Sequence, residues 1–468
     1  MKGYQEGSQS GGIDIYCRVA RCLRQPFKTY YNGEQEKRLI SAREAAYISL
    51  SRCLKDNKFA NLEIDAAIKK HGLFGAERSL FTVLVYGTIE RLLTLDFYLS
   101  KCSDKPLDKL DPQILCILRL SAYQILFLDR VPDHAAVNEG VELAKKYLHK
   151  GAKGFVNAVL RRLILTHSDI IPPTLSVKYS IPEWIIELWT EQYGQDKTIE
   201  ILEGMNGVPY MTLRVNTLVT TRKAALEKLA EYNIEAQPCE QSECGINILC
   251  GVSFAEIEDV LGKGAFVQDE ASQLTVEAIG ALPGDFVIDT CSCPGGKSFG
   301  IAIAMNNKGK LLSLDLHESK LGLVEKGAER LGISIISTRA HDSKEPLSEY
   351  IGKADKVLCD VPCSGLGVMA KKPETRYKEK ASVLKLPEIQ YAILNSSAEY
   401  LKPGGTLVYS TCTLNKLEND NIIEKFLSTH SDFVLEKMAT LFPVKHKSDG
   451  FFHAKLIKIN DQLSLKIE

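Results

Sequence analysis

Apolar residues recur at spacings of three and four through most of residues 41–170, which is the period of amphipathic helices. The stretches with the clearest period are 76–93, 111–128 and 138–147. Ser41 stands where an N-cap is expected, directly before an alanine-rich run. We therefore predict an all-α bundle over residues 41–170, followed by a helical connector over residues 171–208 that begins at Pro172 and Pro173.

The apolar pattern changes near Pro209, where strands begin to alternate with helices. Residues 209–275 are predicted in the order strand, helix, strand, strand, helix, strand, which is typical of a small open-faced α/β unit. Residues 276–468 are predicted to form a mostly parallel, doubly wound, Rossmann-like sheet. Its core strands are predicted at 286–289, 311–315, 356–359 and 406–410. Residues 1–40 have no clear period and are predicted to be a flexible extension.

Composition and hydropathy narrow the class of protein. Hydrophobic residues make up 45% and charged residues 25% of the chain, so a disordered or collagen-like protein is excluded. Even the apolar run from Ile114 to Leu128 contains Arg119, and no segment has the roughly 18 uncharged apolar residues of a membrane span. The first forty residues lack the apolar stretch of a signal peptide. We therefore expect a cytoplasmic protein whose 13 cysteines are free thiols.

Charge is distributed unevenly along the chain. The formal net charge is −1, but residues 171–468 carry 40 Asp and Glu against 32 Lys and Arg, so any contact with nucleic acid must come from local basic patches. One patch is predicted at 371–378, where Lys371, Lys372 and Arg376 are expected to contact phosphate; a solvated charged loop is the alternative. A second cluster lies in the helical region and comprises Lys145, Lys146, Lys150, Lys153, Arg161 and Arg162.

A glycine turn follows the first core strand, which ends at Asp289. A strand, a glycine turn and a helix form a nucleotide crevice, because glycines let backbone N–H groups approach the ligand at the helix N-terminus. The candidate cofactor-binding residues of this turn are Cys291, Ser292, Cys293, Pro294, Gly295, Gly296 and Lys297. Neither the dinucleotide fingerprint G-x-G-x-x-G nor a P-loop is present, so a ligand without a pyrophosphate is favoured.

Two carboxylates extend this predicted crevice. Asp315 ends the second core strand 19 residues after Gly296, close to the spacing of about 20 at which an acidic residue meets ribose hydroxyls. Asp342 follows a predicted strand at 333–338, where contacts to an adenine edge are expected. A methyl donor such as S-adenosylmethionine, which has an adenosine and an amino-acid tail but no phosphate, fits this short glycine turn better than a pyrophosphate ligand does. The alternative for Asp315 is a cap of the following helix.

Two cysteines follow neighbouring core strands. Cys363 lies in the segment D-V-P-C-S that begins at Asp360, and Cys412 lies in the segment S-T-C-T that begins at Ser410. Because ligands bind at the carboxyl ends of the strands in α/β sheets, we expect both thiols at that edge; buried structural cysteines are the alternative. The sequence has no C-x-x-C motif and its nine histidines do not cluster near these thiols, so no metal site is predicted.

These motifs resemble those of the Sun-type RNA cytosine-C5 methyltransferases. The matching segments are D-T-C-S-C-P-G-G-K (289–297), D-V-P-C-S (360–364), T-C-T (411–413), L-R-V-N (213–216), F-V-Q-D-E-A-S (266–272) and D-G-F-F (449–452). The helical region is similar to NusB-like RNA-binding domains, through V-P (131–132), V-N-E (137–139) and F-V-N-A-V-L-R (155–161). Ser292 and Cys293 stand where two alanines are usual in the family, and His317 stands where a second carboxylate is common.

The resemblance implies methylation of C5 of a cytosine in RNA, with S-adenosylmethionine as the cofactor. Cytosine C5 is a poor nucleophile until a thiolate adds to C6. By resemblance, Cys412 is this nucleophile, Cys363 assists product release, and Asp360 lies between the base edge and the cofactor. Lys297 is a candidate to lower the pKa of the thiol.

The fusion to a NusB-like domain implies that the substrate is small-subunit (16S) ribosomal RNA, either naked or in an early assembly particle. We also expect a monomer. A transfer-RNA or large-subunit cytosine methyltransferase would share all the catalytic residues and is the first alternative. A non-catalytic RNA-binding assembly factor is the second, although a binding protein needs neither thiol. A Rossmann oxidoreductase is a distant third, because the dinucleotide glycines are missing.

Overall fold

The computed structural model of the chain describes residues 40–56, 59–207, 209–443 and 448–460. The predicted flexible extension lies outside these residues, apart from Ile40. The predicted helical bundle is present, and its helices are α1 (Ala42–Asp56), α2 (Ala60–His71), α3 (Gly75–Glu90), α4 (Leu92–Cys102), α5 (Pro112–Phe127), α6 (Asp133–Tyr147) and α7 (Ala152–Thr166). In α6 the buried residues follow the expected spacing, with Ala136, Val137, Gly140, Leu143 and Ala144 on one face.

Three further helices connect the bundle to the rest of the chain. They are α8 (Leu175–Tyr179), α9 (Glu183–Tyr193) and α10 (Gln195–Met205). Trp189 of α9 is fully buried in a cluster that includes Leu366, Met369 and Leu414. The connector therefore packs against residues that follow Cys363 and Cys412.

A small sheet follows the connector, in the predicted order of elements. These elements are β1 (Met211–Val215), α11 (Arg222–Glu231), β2 (Ala236–Pro238), β3 (Gly245–Ile248), α12 (Phe254–Leu261) and β4 (Ala265–Val267). The strands pair antiparallel in the order β2-β3-β1-β4. Ser253 caps α12 through a capping box with Glu256, which explains why this helix begins at Phe254.

The larger sheet has seven strands in the order β10-β11-β9-β8-β5-β6-β7. The strands are β5 (Phe286–Asp289), β6 (Lys310–Asp315), β7 (Ile336–Ala340), β8 (Ala354–Asp360), β9 (Leu401–Thr411), β10 (Phe433–Leu441) and β11 (Phe451–Lys458). The helices are α13 (Glu270–Ile279), α14 (Gly296–Ala304), α15 (Glu318–Leu331), α16 (Lys380–Val383), α17 (Leu386–Glu399) and α18 (Asp420–Thr429). Strands β5 to β9 pair in parallel, which confirms the predicted Rossmann-like sheet.

The last two strands of this sheet are antiparallel to their neighbours and were not predicted. Strand β11 pairs with β9, with Phe452 opposite Thr411, and β10 forms the edge. This pairing brings the D-G-F-F segment beside the strand that leads to Cys412. Among the described residues, no helix is both long and apolar enough to cross a membrane. The predicted domain boundaries remain predictions, and α13 runs across the one placed at residue 275.

Candidate active site

Cys363 and Cys412 lie side by side at the carboxyl edge of the large sheet. Strands β8 and β9 are parallel neighbours, and Asp360 pairs with Ser410 in their register. Each cysteine follows its strand by a few residues, so the two chains leave the sheet together and their Sγ atoms are 3.2 Å apart. Both thiols are free and partly buried. The expectation that both would reach this edge is confirmed.

The two thiols have different electrostatic surroundings. The hydrogen bond from Cys363, together with the positive charges of Lys372 and Lys297, holds the pKa of Cys412 below its usual value, although burial and Asp360 oppose this. The same contact with Cys412, followed by burial, raises the pKa of Cys363 well above its usual value. These surroundings favour the thiolate form at Cys412 and the thiol form at Cys363, although either sulfur has the geometry to donate the hydrogen bond that joins them.

Lys297 and Asp360 form an ion pair beside the thiols. Lys297 Nζ lies 2.7 Å from Asp360 Oδ2, and Ser410 Oγ donates to Asp360 Oδ1 at 2.7 Å. The carboxylate raises the pKa of Lys297 against the effect of burial, so the lysine remains a cation. Its ammonium also lies over the ring of Phe451, 4.9 Å from the centroid. Lys297 thus brings a fixed positive charge to the site, as the sequence predicted.

The turn after β5 connects this ion pair to the predicted cofactor crevice. Gly295 has a φ of 110°, and a side chain there would collide with the ring of Phe299. The peptide bond between Cys293 and Pro294 is cis. Burial raises the pKa of Cys291 well above its usual value, and burial followed by the Asp315 charge raises the pKa of Cys293 to about 12. Both cysteines of the turn therefore remain neutral near neutrality.

Asp315 faces the glycine turn from the end of β6. Its Oδ2 accepts from Cys293 N at 3.2 Å and its Oδ1 accepts from His317 N at 3.0 Å. Each carboxylate oxygen can accept more than one hydrogen bond, so capacity remains for a pair of ribose hydroxyls. The turn and this carboxylate therefore lie together at the carboxyl edge of the sheet.

Asp342 lies in the loop after β7, which also reaches the turn. The adjacent Ser343 donates from Oγ to the carbonyl of Thr290 at 2.6 Å, which brings this loop against the turn after β5. Asp342 itself is nearly half exposed and forms an ion pair with Lys344, with Nζ 3.0 Å from Oδ2. The loop is placed as expected, but part of the carboxylate is engaged by its own lysine.

One buried residue of this site was missed from the sequence. Glu418 ends the short 3₁₀ turn Lys416–Glu418, has no exposed surface, and binds the loops that carry both thiols. It accepts from Ser364 and Asn415, and from Gln390 of α17. A glutamate six residues after Cys412 looks like an ordinary surface residue, and only tertiary packing shows that it is buried.

Three family models match successive parts of the chain. The NusB family matches residues 40–165, the ferredoxin-like domain of RsmF/B-like methyltransferases matches residues 181–254, and the 16S rRNA methyltransferase RsmB/F model matches residues 278–457. A probable ribosomal RNA small subunit methyltransferase B from Bacillus subtilis is 37% identical over 401 residues, which cover 84% of this chain and 89% of the relative. The chain belongs to the ribosomal RNA small subunit methyltransferase B family.

Other relatives extend this family match across most of the chain. The probable ribosomal RNA small subunit methyltransferase B of Synechocystis is 34% identical, and the match covers 90% of this chain and all of the relative. The crystal structure of PH0851 has a TM-score of 0.78 and 26% identity, and the match covers 90% of this chain and all of that one. NSun6 from Pyrococcus horikoshii shares the fold, with a TM-score of 0.54 at 20% identity over 60% of this chain and 99% of that one. The predicted family and fold are confirmed.

The predicted phosphate contacts of the segment after Cys363 need correction. Arg376 has no exposed surface and binds the carbonyl groups of Tyr179 and Met205, so the prediction that it contacts phosphate is wrong. Lys371 is held between the carboxylates of Asp269 and Asp449. Lys372 remains exposed. Lys371 and Arg376 therefore position the loop. Their roles were mispredicted because a pattern of charges in a sequence does not distinguish buried cations from solvated ones.

Proposed function

We propose that this chain is an S-adenosylmethionine-dependent methyltransferase that modifies C5 of a cytosine in 16S ribosomal RNA through a covalent adduct with Cys412. The observation that carries this proposal is the contact between the thiols of Cys363 and Cys412, in surroundings that lower the pKa of Cys412 and raise the pKa of Cys363. Family membership supports RNA methylation, and the thiol pair supports C5 of a pyrimidine as the methylated atom.

In this reaction the thiolate of Cys412 attacks C6 of the target base. A sulfur–carbon bond forms, and the electron pair of the C5–C6 double bond makes C5 nucleophilic. The carboxylate of Asp360 accepts a hydrogen bond from the cytosine amino group and holds the base edge. Since Lys297 holds Asp360 by an ion pair, it orients this carboxylate as well as stabilising the thiolate.

The bound cofactor supplies an electrophilic methyl group, which C5 accepts. The chain itself holds the adenosine. Asp315 would bind the ribose hydroxyls, and the adenine would lie between the backbone of residues 291–297 and the loop at Asp342. Loss of the C5 proton to solvent then restores the C5–C6 double bond and expels the Cys412 thiolate. Cys363, 3.2 Å from the departing sulfur, donates a hydrogen bond to it and so assists release.

The RNA substrate must present an unstacked base, because the thiols lie partly buried at the sheet edge. Exposed cations near the thiols include Lys372 and Lys378, and both are candidates for phosphate contacts. In the helical domain, Lys145, Lys146 and Arg162 form ion pairs with carboxylates of the chain, which leaves Lys150, Lys153 and Arg161 as the better candidates there.

Substitution of each thiol in turn tests this mechanism. Cys412→Ala should abolish methylation and form no covalent species, since the nucleophile is gone. Cys363→Ala should still add to the base and accept the methyl group, but release should stall. The stalled enzyme should appear with 16S RNA as a slow band in denaturing electrophoresis, should need S-adenosylmethionine to accumulate, and should be absent in the double variant. Covalent catalysis is refuted if both single variants stay active without trapping RNA.

Bisulfite sequencing of ribosomal RNA tests the choice of substrate. Cells without the gene should lose protection at one cytosine of 16S RNA, and the plasmid-borne gene should restore it. Loss of protection in transfer RNA or large-subunit RNA instead would favour the first alternative. No change at any cytosine in these RNAs, together with wild-type RNA binding, would favour a non-catalytic assembly factor.

A further inference from the structure

Glu418 is a buried carboxylate whose hydrogen bonds all come from neutral groups. Its Oε2 accepts from the backbone N–H of Ser364 at 2.8 Å and from Gln390 Nε2 at 2.9 Å. Its Oε1 accepts from Ser364 Oγ at 2.5 Å and from Asn415 Nδ2 at 3.0 Å. No cation forms an ion pair with Glu418 within the described parts of the chain, so its negative charge is not neutralised locally.

The hydrogen bonds of Glu418 lie mostly on the Cys363 side of the thiol pair. Ser364, which directly follows Cys363, gives it both a backbone and a side-chain donor. Gln390 Nε2 also donates to the carbonyl of Pro362 at 3.0 Å, so residues on both sides of Cys363 are bound to the Glu418 network. A buried negative charge that is hydrogen-bonded to Ser364, the residue next to Cys363, disfavours a second negative charge on that thiol.

Cys412 has the opposite surroundings. The cations Lys297 and Lys372 lower its pKa, and Asp360 is the one acidic group that opposes them among the causes of the shift. On the Cys363 side, Lys378 Nζ donates to the carbonyl of Ser364 at 2.7 Å from the exposed face of the loop, and Tyr409 donates from its hydroxyl to the backbone carbonyl of Glu418 at 2.6 Å. Two cations and Asp360 thus act on the pKa of Cys412, whereas the carboxylate of Glu418 acts on the pKa of Cys363, across a sulfur–sulfur contact of 3.2 Å.

We propose that Glu418 is a positioning residue that keeps the shared proton of the thiol pair on Cys363 and thereby places the thiolate on Cys412. It acts through its charge, through its direct hydrogen bonds with Ser364, and through Gln390, which also binds the carbonyl of Pro362. It contacts neither the base nor the cofactor. The raised pKa of Cys363, whose causes are the hydrogen bond to Cys412, then burial, the Cys412 charge and finally Glu418, agrees with this role.

The consequence for catalysis rests on the function proposed above. A protonated Cys363 can donate a hydrogen bond to the leaving sulfur, whereas an ionised Cys363 would compete with Cys412 for the base and repel the departing thiolate. Glu418 would thus determine which of two chemically identical side chains is the nucleophile, Cys412, and which assists release of the product, Cys363. Neither RNA nor cofactor is needed to measure this assignment.

Alkylation by iodoacetamide over a series of pH values, with each cysteine quantified by peptide mass spectrometry, measures the ionisation of both thiols. In the wild-type chain, Cys412 should react at lower pH than Cys363. Glu418→Gln should speed the alkylation of Cys363 by about ten-fold at a fixed pH below its midpoint, which corresponds to a shift of about one pH unit. Ser364→Ala removes the hydrogen bonds of the Ser364 hydroxyl with Glu418 and Thr413, but it removes no charge and keeps the backbone donor to Glu418. It is the matched control and should keep the wild-type order.

A charge-swapped double variant covers the case in which Glu418→Gln does not fold. The double variant Asn415→Asp, Glu418→Gln keeps one carboxylate and one hydrogen bond between positions 415 and 418. It moves the negative charge to position 415, three residues after Cys412. This variant should narrow or reverse the difference between the pH values at which Cys363 and Cys412 are alkylated. A wild-type chain in which Cys363 reacts first, or folded variants with an unchanged difference, would overturn the role of Glu418. A chain with the expected order of alkylation that fails to methylate cytosine would instead refute the proposed function alone.

Discussion

At the scale of single residues, Asp315 offers the clearest test of the cofactor crevice. Its carboxylate is held by two backbone N–H groups, and this leaves it oriented toward the turn that follows β5. Asp315→Ala should weaken the binding of S-adenosylmethionine by about ten-fold or more, because a charge-assisted hydrogen bond contributes about 1.5 to 3 kcal/mol. Isothermal titration calorimetry without RNA measures this.

Asp342→Ala is the matched control for that measurement. Asp342 already forms an ion pair with Lys344 and is largely solvated, so its loss should change the affinity less than the loss of Asp315 does. Equal affinities for Asp315→Ala and the wild type would mean that Asp315 only holds the backbone of residues 293 and 317.

Residues with an unusual local sequence were predictable, and those defined by packing were not. The glycine turn, Asp315 and both thiols each follow a strand, so the parallel sheet itself brings them to one edge. Glu418 and Arg376 gave no such signal, because their burial depends on contacts between segments far apart in the chain. A charged residue is normally predicted to be exposed to solvent. Glu418 and Arg376 are instead buried, and several hydrogen bonds stabilise each of them.

At the scale of elements, a buried ion triad fastens the loop after Cys363 to the end of the chain. Lys371 pairs with Asp269, the N-cap of α13, and with Asp449, the latter at 3.0 Å just before β11. Burial and the Asp269 charge raise the pKa of Asp449 to about 6, while Lys371 opposes the rise. The lysine is therefore needed to keep two nearby carboxylates ionised together.

Lys371→Met should destabilise the protein in a pH-dependent way. Removing one partner of a buried ion pair costs about 3 kcal/mol, which should appear in full at pH 8. Without the lysine, the pKa of Asp449 rises further above its unfolded value of about 3.9, so the folded state gains stability from protonation as the pH falls. Thermal unfolding at pH 8 and pH 5.5 should show a smaller loss at the lower pH. Lys372→Met, at the exposed neighbouring position, should change stability little at either pH, and a pH-independent loss for Lys371→Met would contradict the account.

Most elements of the fold were predictable from periodicity, but the closing hairpin was not. Strands β5, β6 and β8 contain short apolar runs, as does the predicted part of β9 at 406–410, as expected for strands buried on both faces. The structure extends β9 back to Leu401. The edge strand β10 exposes four consecutive residues, Glu436 among them, and has no alternating pattern that distinguishes it from a loop. Its strand conformation depends on pairing with β11, which only the folded chain provides.

At the scale of the whole molecule, Arg376 joins three parts of the chain through one buried guanidinium. Its Nη1 donates to Tyr179 O and to Asn206 Oδ1 of the connector, and its Nη2 donates to Met205 O at 2.6 Å. The same group lies 3.6 Å from Glu90 at the end of α3, and Tyr377 beside it donates to Ile89 O at 2.9 Å. The 3₁₀ turn Pro373–Tyr377 thus anchors the loop after Cys363 on the helical domain.

Arg376→Met should therefore affect catalysis without affecting cofactor binding. The substitution removes the Arg376 donor from the buried carbonyl of Met205 and one of the two cations near Glu90, at a cost of about 3 to 5 kcal/mol in stability. Because the anchored turn follows Cys363 and lies away from the glycine turn, we expect a large fall in the RNA methylation rate with unchanged affinity for S-adenosylmethionine. Calorimetric unfolding, cofactor titration and a methylation assay on 16S RNA measure the three quantities on one sample. Arg339→Met, at a half-exposed arginine paired with Glu349, is the control and should alter none of them appreciably. Parallel losses of cofactor affinity and activity in Arg376→Met would mean that the substitution destabilises the whole catalytic domain. The helical domain would then not specifically position the loop after Cys363.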